Sequence, residues 1–348
     1  MNKKKDIRSI SLADIEEFFL SHNEKKFRAK QVYDWLWKKS AHTFSEMSNL
    51  SKTTRELLDQ NFVINAIKID TSQKSKDRTI KNAFRLYDNH IIEGVLIPTT
   101  SRMTACVSSQ VGCSLTCSFC ATGKLDRLRN LNADEIYDQV VILNKQAEEN
   151  YNIPLSNIVY MGMGEPLLNY ANVLKSVEHI TSPDGLNMSP QRITVSTAGI
   201  AKMIKKLGDD NIKFNLALSL HAANDEKRNK IMPINETNNL EILKEALKYF
   251  YNKTGTRVTY EYVMLSNFND SIQDARELTE FSKAVPCKIN LIEYNSIGDG
   301  EFRKSKTDKV DVFKTFLESK GIIVNVRRSR GKDIDAACGQ LANKSVTV

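Results

Sequence analysis

The sequence predicts an α/β protein: a parallel sheet curled into a partial barrel of six β/α units, with a small helical N-terminal domain and a β-hairpin extension. Three observations predict it. From Asn132 onward, short runs rich in β-branched and aromatic residues alternate with stretches of helical period. That alternation implies right-handed crossovers and a parallel sheet. Ahead of it, residues 1–62 carry apolar residues at helical spacing, and residues 79–98 carry two strand-like runs about the turn Asp88-Asn89.

Taken in order, Ser11 and Asp14 form a capping-box pair ahead of Ile15, Phe18 and Phe19 on one helical face. Phe27, Val32, Tyr33, Leu36 and Trp37 give a second stripe, expected to be core rather than a base-stacking platform. The lysines of this segment make it a candidate RNA-touching module. Strands are expected at 157–161, 192–196, 214–219, 257–264, 288–294 and 322–327, with helices between them such as 133–146, 240–250 and 272–281. The expected organisation is 1–62 helical domain, 63–100 hairpin extension, 101–330 partial barrel and 331–348 tail. Chemistry on such a barrel belongs at the carboxyl ends of the strands.

The 348 residues carry a net charge of +8, a balance that favours a polyanionic partner. No run of 18 apolar residues exists, and no apolar stretch follows the lysines at the start, so a cytoplasmic protein without a membrane span is expected. Six cysteines in this length are no secreted disulfide framework. Clustered cysteines in a reducing compartment more often bind metal or do chemistry.

Three of the six stand close together, Cys113, Cys117 and Cys120, in a C-x3-C-x2-C spacing. Three thiolates hold three corners of a four-iron cluster and leave the fourth iron open to a ligand. The competing zinc reading wants four closed ligands, with Cys106 as the fourth at an awkward spacing. Phe119, inside the triplet, could shield a cluster from solvent. The run Tyr160-Met-Gly-Met-Gly-Glu-Pro-Leu-Leu-Asn169 ends a strand, and its glycines permit close backbone approach of a ligand. It lacks the third glycine of a dinucleotide fingerprint. Ser196, Ser219 and His221 fall at two further strand ends, His221 alone reading more readily as structural. From Arg303 to Lys332 there are ten Lys/Arg against three Asp/Glu, a phosphate-binding pattern ending in Arg327-Arg-Ser-Arg-Gly-Lys332. Cys338 follows, among small residues, as a candidate reactive thiol, whereas Cys287 is expected to be inert.

On these motifs, together with Cys106-Val-Ser-Ser-Gln-Val-Gly-Cys113, Arg129-Asn-Leu131 and Asp333-Ile-Asp-Ala-Ala-Cys-Gly-Gln-Leu341, nearly the whole chain resembles the RlmN-type RNA methyltransferases of the radical S-adenosylmethionine (SAM) superfamily. That resemblance implies a barrel of radical SAM type and methylation of adenine carbon 2 in 23S rRNA and in tRNA. It implies a [4Fe-4S] cluster on Cys113, Cys117 and Cys120, and SAM held by Gly164, Glu165, Ser196, Ser219, Leu220, His221 and Asn295. It implies two SAM per turnover, the first methylating Cys338, with a thioether then joining Cys338 to the base. Glu93 matches the proposed proton acceptor, and Cys106 the thiol that releases product through a transient disulfide with Cys338. An electron donor such as flavodoxin is implied, and a monomer is the expected state. Glu293 and Ser296 depart from the family, which commonly has proline there, and Asp126 stands where a glycine is common. Two other readings are a Cfr-type enzyme acting on adenine carbon 8 and a non-catalytic, metal-stabilised RNA-binding protein. Pro166, where the Cfr type reads Ala, points to carbon 2, and the second reading leaves Cys106 and Cys338 without a role.

Overall fold

The N-terminal segment folds as its apolar spacing predicts. The computed structural model describes residues 4–298 and 300–343; residues 344–348 of the expected tail lie outside them. A short strand β1 (Lys5–Asp6) precedes α1 (Leu12–Ser21), α2 (Phe27–Trp37) and α3 (Lys52–Asn61), and pairs in parallel with β2 (Phe62–Val63). Ser11 and Asp14 cap α1 reciprocally, an arrangement worth about 1 kcal/mol. Ile15, Phe19, Val32, Leu36 and Trp37 are buried, but Phe27 is exposed, because it opens α2 at the rim of the stripe rather than within it.

Arg8 ties this segment to the first long helix of the barrel. Its guanidinium is buried and lies 2.7 Å from Asp138 and 3.1 Å from Asp134, both on α4 (Ala133–Tyr151). A buried cation needs this company, since a lone one costs several kcal/mol.

The hairpin is more than an appendage. Strands β3 (Lys68–Lys74), β4 (Ile80–Arg85), β5 (Ile91–Pro98) and β6 (Met103–Cys106) pair antiparallel in sequence order. After a two-residue antiparallel pair, β7 (Gln110–Val111) with β8 (Arg129–Asn130), come β9 (Asn157–Tyr160), β10 (Ile193–Thr197), β11 (Asn215–Ser219), β12 (Val258–Met264), β13 (Cys287–Glu293) and β14 (Ile323–Arg327). Strand β6 pairs in parallel with β9, so antiparallel and parallel parts form one ten-stranded sheet, in the order β14 to β9, then β6 to β3. The parallel run holds seven strands, one more than the six expected, because β6 turns from hairpin partner into its first member.

Helices α5 (Tyr170–Thr181), α6 (Ala201–Asp209), α7 (Asp225–Ile231), α8 (Leu240–Thr254), α9 (Ile272–Ser282) and α10 (Thr307–Ser319) return the chain between the parallel strands. The main apolar core runs from Ile7 to Leu341, and a smaller one, including Ile231, Met232 and Leu265, packs against Leu115, Cys117 and Phe119. No helix among the described residues is long and apolar enough to cross a membrane.

Candidate active site

The cysteine loop leaves the carboxyl end of β6, where a parallel sheet presents its chemistry. The β7–β8 pair staples its base. Gly112 turns there at φ +75, and an added Cβ would lie 2.0 Å from the Asp126 carbonyl oxygen, so only glycine fits. The loop is then pinned by Ser118 N–H to the Ile231 carbonyl and by a turn at Ala121–Lys124. Cys113, Cys117 and Cys120 all line one cavity, with Phe119 beside them. Burial pushes the Cys113 thiol up to about 11 and the Cys117 thiol higher still.

The Gly162–Glu165 turn forms the next wall. Its close approach is made by the chain itself. A Cβ on Gly164, at φ +93, would fall 2.4 Å from Gln110 Cβ. Gln110 also accepts the Glu165 N–H. Glu165 is buried, and its carboxylate accepts from the N–H of Leu167 and of Ala198. Burial nevertheless raises its pKa to about 7. Ser196 and Ser219 stand on neighbouring strands with hydroxyls 3.1 Å apart, and both line the cavity. His221 lines it too, at φ 57, with Nδ1 accepting from Val263 N–H and its ring edge-on to Phe119. Burial lowers its pKa to about 3, so the ring is neutral. Leu220 is different: its side chain is buried in the core, and it does not line the cavity.

The tail folds back over this opening. Asp333 accepts from Ser75 Oγ and Lys76 N–H, and Asp77 accepts from Gly331 N–H. Glu293, at one of the departures from the family pattern, accepts from Lys304 and Lys332 and from Ser329 N–H. Burial works against its charge, yet these partners hold its pKa at about 2. Asn295 donates to the Cys338 carbonyl, Ala121 N–H to the Gly339 carbonyl, and Thr122 Oγ1 to the Leu341 carbonyl. Cys338 is thereby brought into the same cavity as the three loop cysteines, and into an adjoining cavity shared with Cys106. Cys106 and Cys338 are both free thiols.

Glu93 is not on the cavity wall. It sits on β5, on the sheet face of Val95 and its partner Cys106, and is 1% exposed. Its carboxylate lies 3.4 Å from Lys81 Nζ and accepts the N–H groups of Ala342 and Asn343.

Sequence reasoning passed over Glu261 and Arg327. Glu261 lies mid-strand on β12, its Oε1 held by Asn290, and its Oε2 3.5 Å from Arg327. A carboxylate inside the apolar run Val258–Met264 was the available signal. Arg327 belongs to the basic run read as a phosphate contact, yet its side chain lines both cavities from inside the barrel.

The residues present fit a cluster and SAM. Among the described residues no three His, Cys, Asp or Glu side chains converge on a single ion. A four-iron cluster instead takes one thiolate per iron from three corners. The hydroxyls of Ser196 and Ser219, the Asn295 amide and the Gly162–Glu165 turn give a mostly apolar cavity the few polar groups that orient a ligand.

Known proteins match along the whole chain. The family model for the ribosomal RNA large subunit methyltransferase N-terminal domain matches residues 5–64, and that for the radical SAM superfamily matches residues 107–279. The dual-specificity RNA methyltransferase RlmN of Cytophaga hutchinsonii is 62% identical over 99% of this chain and 94% of its own length. That of Bacillus cytotoxicus is 40% identical over 98% and 94%. A radical SAM methyltransferase from Sphaerobacter thermophilus has a solved structure that superposes with a TM-score of 0.91, at 37% identity, covering 97% of this chain and 99% of that one. Whole-length identity at this level, on a barrel that gathers three loop cysteines and a tail cysteine into one cavity, means that the chain belongs to the RlmN family of radical SAM RNA methyltransferases.

Proposed function

We propose that this chain methylates carbon 2 of adenine in 23S rRNA, near the peptidyl-transferase centre, and in tRNA, at the adenine 3′ of the anticodon, carrying the methyl group on Cys338. The carrying observation is the pair of adjoining cavities: Cys338 lines both, between the three loop cysteines and Cys106. The RNA methyltransferase names of the relatives and the net charge of +8 support an RNA substrate. Pro166 supports carbon 2 over carbon 8.

Cys113, Cys117 and Cys120 would hold the cluster, and Gly164, Glu165, Ser196, Ser219, His221 and Asn295 would hold SAM, with Leu220 contributing through backbone alone. Bound there, cluster and SAM, two per turnover, supply the methyl group and the radical that activates it. Cys338 takes the methyl on sulfur, and Asn295, holding its carbonyl, fixes where that sulfur points. Carbon 2 of adenine is electron-poor, so the methyl group cannot be delivered as a simple electrophile and travels through a thioether on Cys338. Glu93 removes the proton from carbon 2, with buried Lys81 3.4 Å from its carboxylate. Because Ala342 and Asn343 occupy that carboxylate, the tail end must leave Glu93 before RNA reaches it. Cys106 then attacks Cys338, and a disulfide between them frees the product. The same reading takes the enzyme as a cytoplasmic monomer reduced by a donor such as flavodoxin, with 1–62 an RNA-touching domain and 331–348 the methyl-carrying tail.

The test is anaerobic turnover of the reconstituted protein on an unmodified rRNA fragment and a tRNA transcript. Digested nucleosides are compared by mass spectrometry with 2-methyl- and 8-methyladenosine. The expected product is 2-methyladenosine from both RNAs. Appearance of 8-methyladenosine overturns the carbon-2 assignment, and an intact cluster with no methylated base overturns the substrate.

A further inference from the structure

The basic run that closes the barrel does not act as one surface. Arg328 and Arg330 are exposed, as a phosphate-binding run requires. Arg327, at the carboxyl end of β14, keeps 39% of its side chain exposed but also reaches inward. It lines the cavity of the loop cysteines and also the smaller one that holds Cys106 and Cys338. Its guanidinium is anchored: Nη1 lies 3.5 Å from Oε2 of Glu261, whose side chain is 4% exposed and whose other oxygen is fixed by Asn290. Glu261 Oε2 has no other hydrogen-bond partner; burial raises the pKa of this carboxylate, and the facing Arg327 guanidinium works against that rise. Among the described residues, Arg327 is the one cation of this cavity wall with a buried carboxylate behind it.

We propose that Arg327 is a positioning residue for product release: held by Glu261, it supplies the positive charge against which the Cys106 thiolate forms and attacks Cys338. This deepens the methyl-transfer function proposed for the site and rests on Cys106 being the releasing thiol. In that step the Cys106 sulfur gives an electron pair to the Cys338 sulfur and an S–S bond forms. The Cys338 S–CH2 bond breaks with its electron pair passing to the methylene carbon, which takes a proton and becomes the methyl group of the product. The two sulfurs are oxidised and the carbon is reduced; a small dithiol afterwards restores both thiols.

The thiolate needs the help. Cys106 is enclosed on a sheet face of Val95 and Ile97. Burial pushes its pKa up to about 12, and the Met161 N–H and Arg327 pull it back; Cys338 adds to the rise only as a free thiol, not as the thioether under attack. The charged and titratable groups around it are Cys338 of the tail, Arg327, Arg328 and Arg330 of the turn, and Cys120 of the loop. Glu93 and Lys81 lie further along the same face, 3.4 Å apart.

The experiment uses the reconstituted full chain and the tRNA transcript. Covalent protein–RNA adduct is followed by denaturing gel at neutral and at alkaline pH in wild type, Arg327→Gln, Arg327→Lys, Glu261→Gln and Cys106→Ala. Arg327→Gln is expected to discharge its adduct roughly tenfold or more slowly at neutral pH, since each unit of thiol pKa removes tenfold of thiolate. Raising the pH restores discharge, and Arg327→Lys recovers part of the neutral rate. Glu261→Gln falls between, because its arginine loses its anchor. Cys106→Ala holds its adduct at either pH. Neutral-pH discharge at the wild-type rate in Arg327→Gln overturns the inference, as does a slow discharge that alkali does not relieve. Free discharge in Cys106→Ala instead overturns the underlying reading of Cys106, so the two failures are distinguishable.

Discussion

Cys338 and Cys106 show how far a residue can be understood from its neighbours. Neither belongs to the closely spaced cysteine triplet, yet the fold puts both on one cavity. We expect Cys338→Ala to abolish methyl transfer to RNA, and Cys106→Ala to leave a covalent adduct that migrates with the protein on a denaturing gel. Full turnover by the Cys106 variant removes it from the mechanism. Both thiols were legible in the sequence, because each stands in a distinctive motif. The loop cysteines were legible for the same reason, since a spacing of three and two is a local property of the chain. Glu261 and Arg327 were not, because they meet only through the curl of the sheet. Their partnership joins β12 to β14 across β13, and no local pattern records it.

At the scale of elements, strands β4 and β5 do more than extend the sheet. Their inward face carries the buried pair Lys81 and Glu93, at 5% and 1% side-chain exposure. Removing one partner leaves a buried charge unanswered. Lys81→Met should therefore cost about 3–5 kcal/mol of stability, and the double change Lys81→Met with Glu93→Gln should recover much of it. A urea midpoint for Lys81→Met equal to that of wild type would sink the argument. The hairpin was readable from two strand-like runs about the turn at Asp88-Asn89. Its continuity with the parallel strands was not, because that depends on β6 pairing in two senses at once. The cap of helix α1 was readable to the residue, while Phe27 was misjudged because helical spacing marks a face but not where that face meets solvent.

Over the whole molecule, long-range polar contacts fix the two ends of the described chain to the barrel. Arg8 does so at the start, and Glu293, Asp77, Asn295 and Glu93 do so along the tail. Glu293 makes the tail sensitive to acid. A carboxylate held at about 2 in the fold against its ordinary 4.5 stabilises the fold fully above that ordinary value, and its contribution fades as pH falls toward 2. Protection of the Ser329 amide from hydrogen exchange should fade over that window, and Glu293→Gln should lose it already at neutral pH. Unchanged protection in that variant would show that Lys332 and Ser329 are held by other means. The seating of the tail was beyond sequence reading, because its partners lie on four separate stretches of the chain, at 75–77, 93, 121–122 and 293–295. The family resemblance gave Cys338 a task, and only the fold gives it an address.

The tail's backbone is hydrogen-bonded to the cysteine loop itself, through Ala121 to Gly339 and Thr122 to Leu341. A cluster held by that loop would therefore bear on the order of this end of the chain. Stripping the cluster from the holoenzyme should speed proteolytic cutting between Arg327 and Leu341 well before the barrel unfolds, and equal cutting rates in the two forms would break the link. In a cell's terms, iron supply would then be written into the lifetime of the protein: a chain short of its metal offers a loose end to the machinery of turnover, and a loaded one does not.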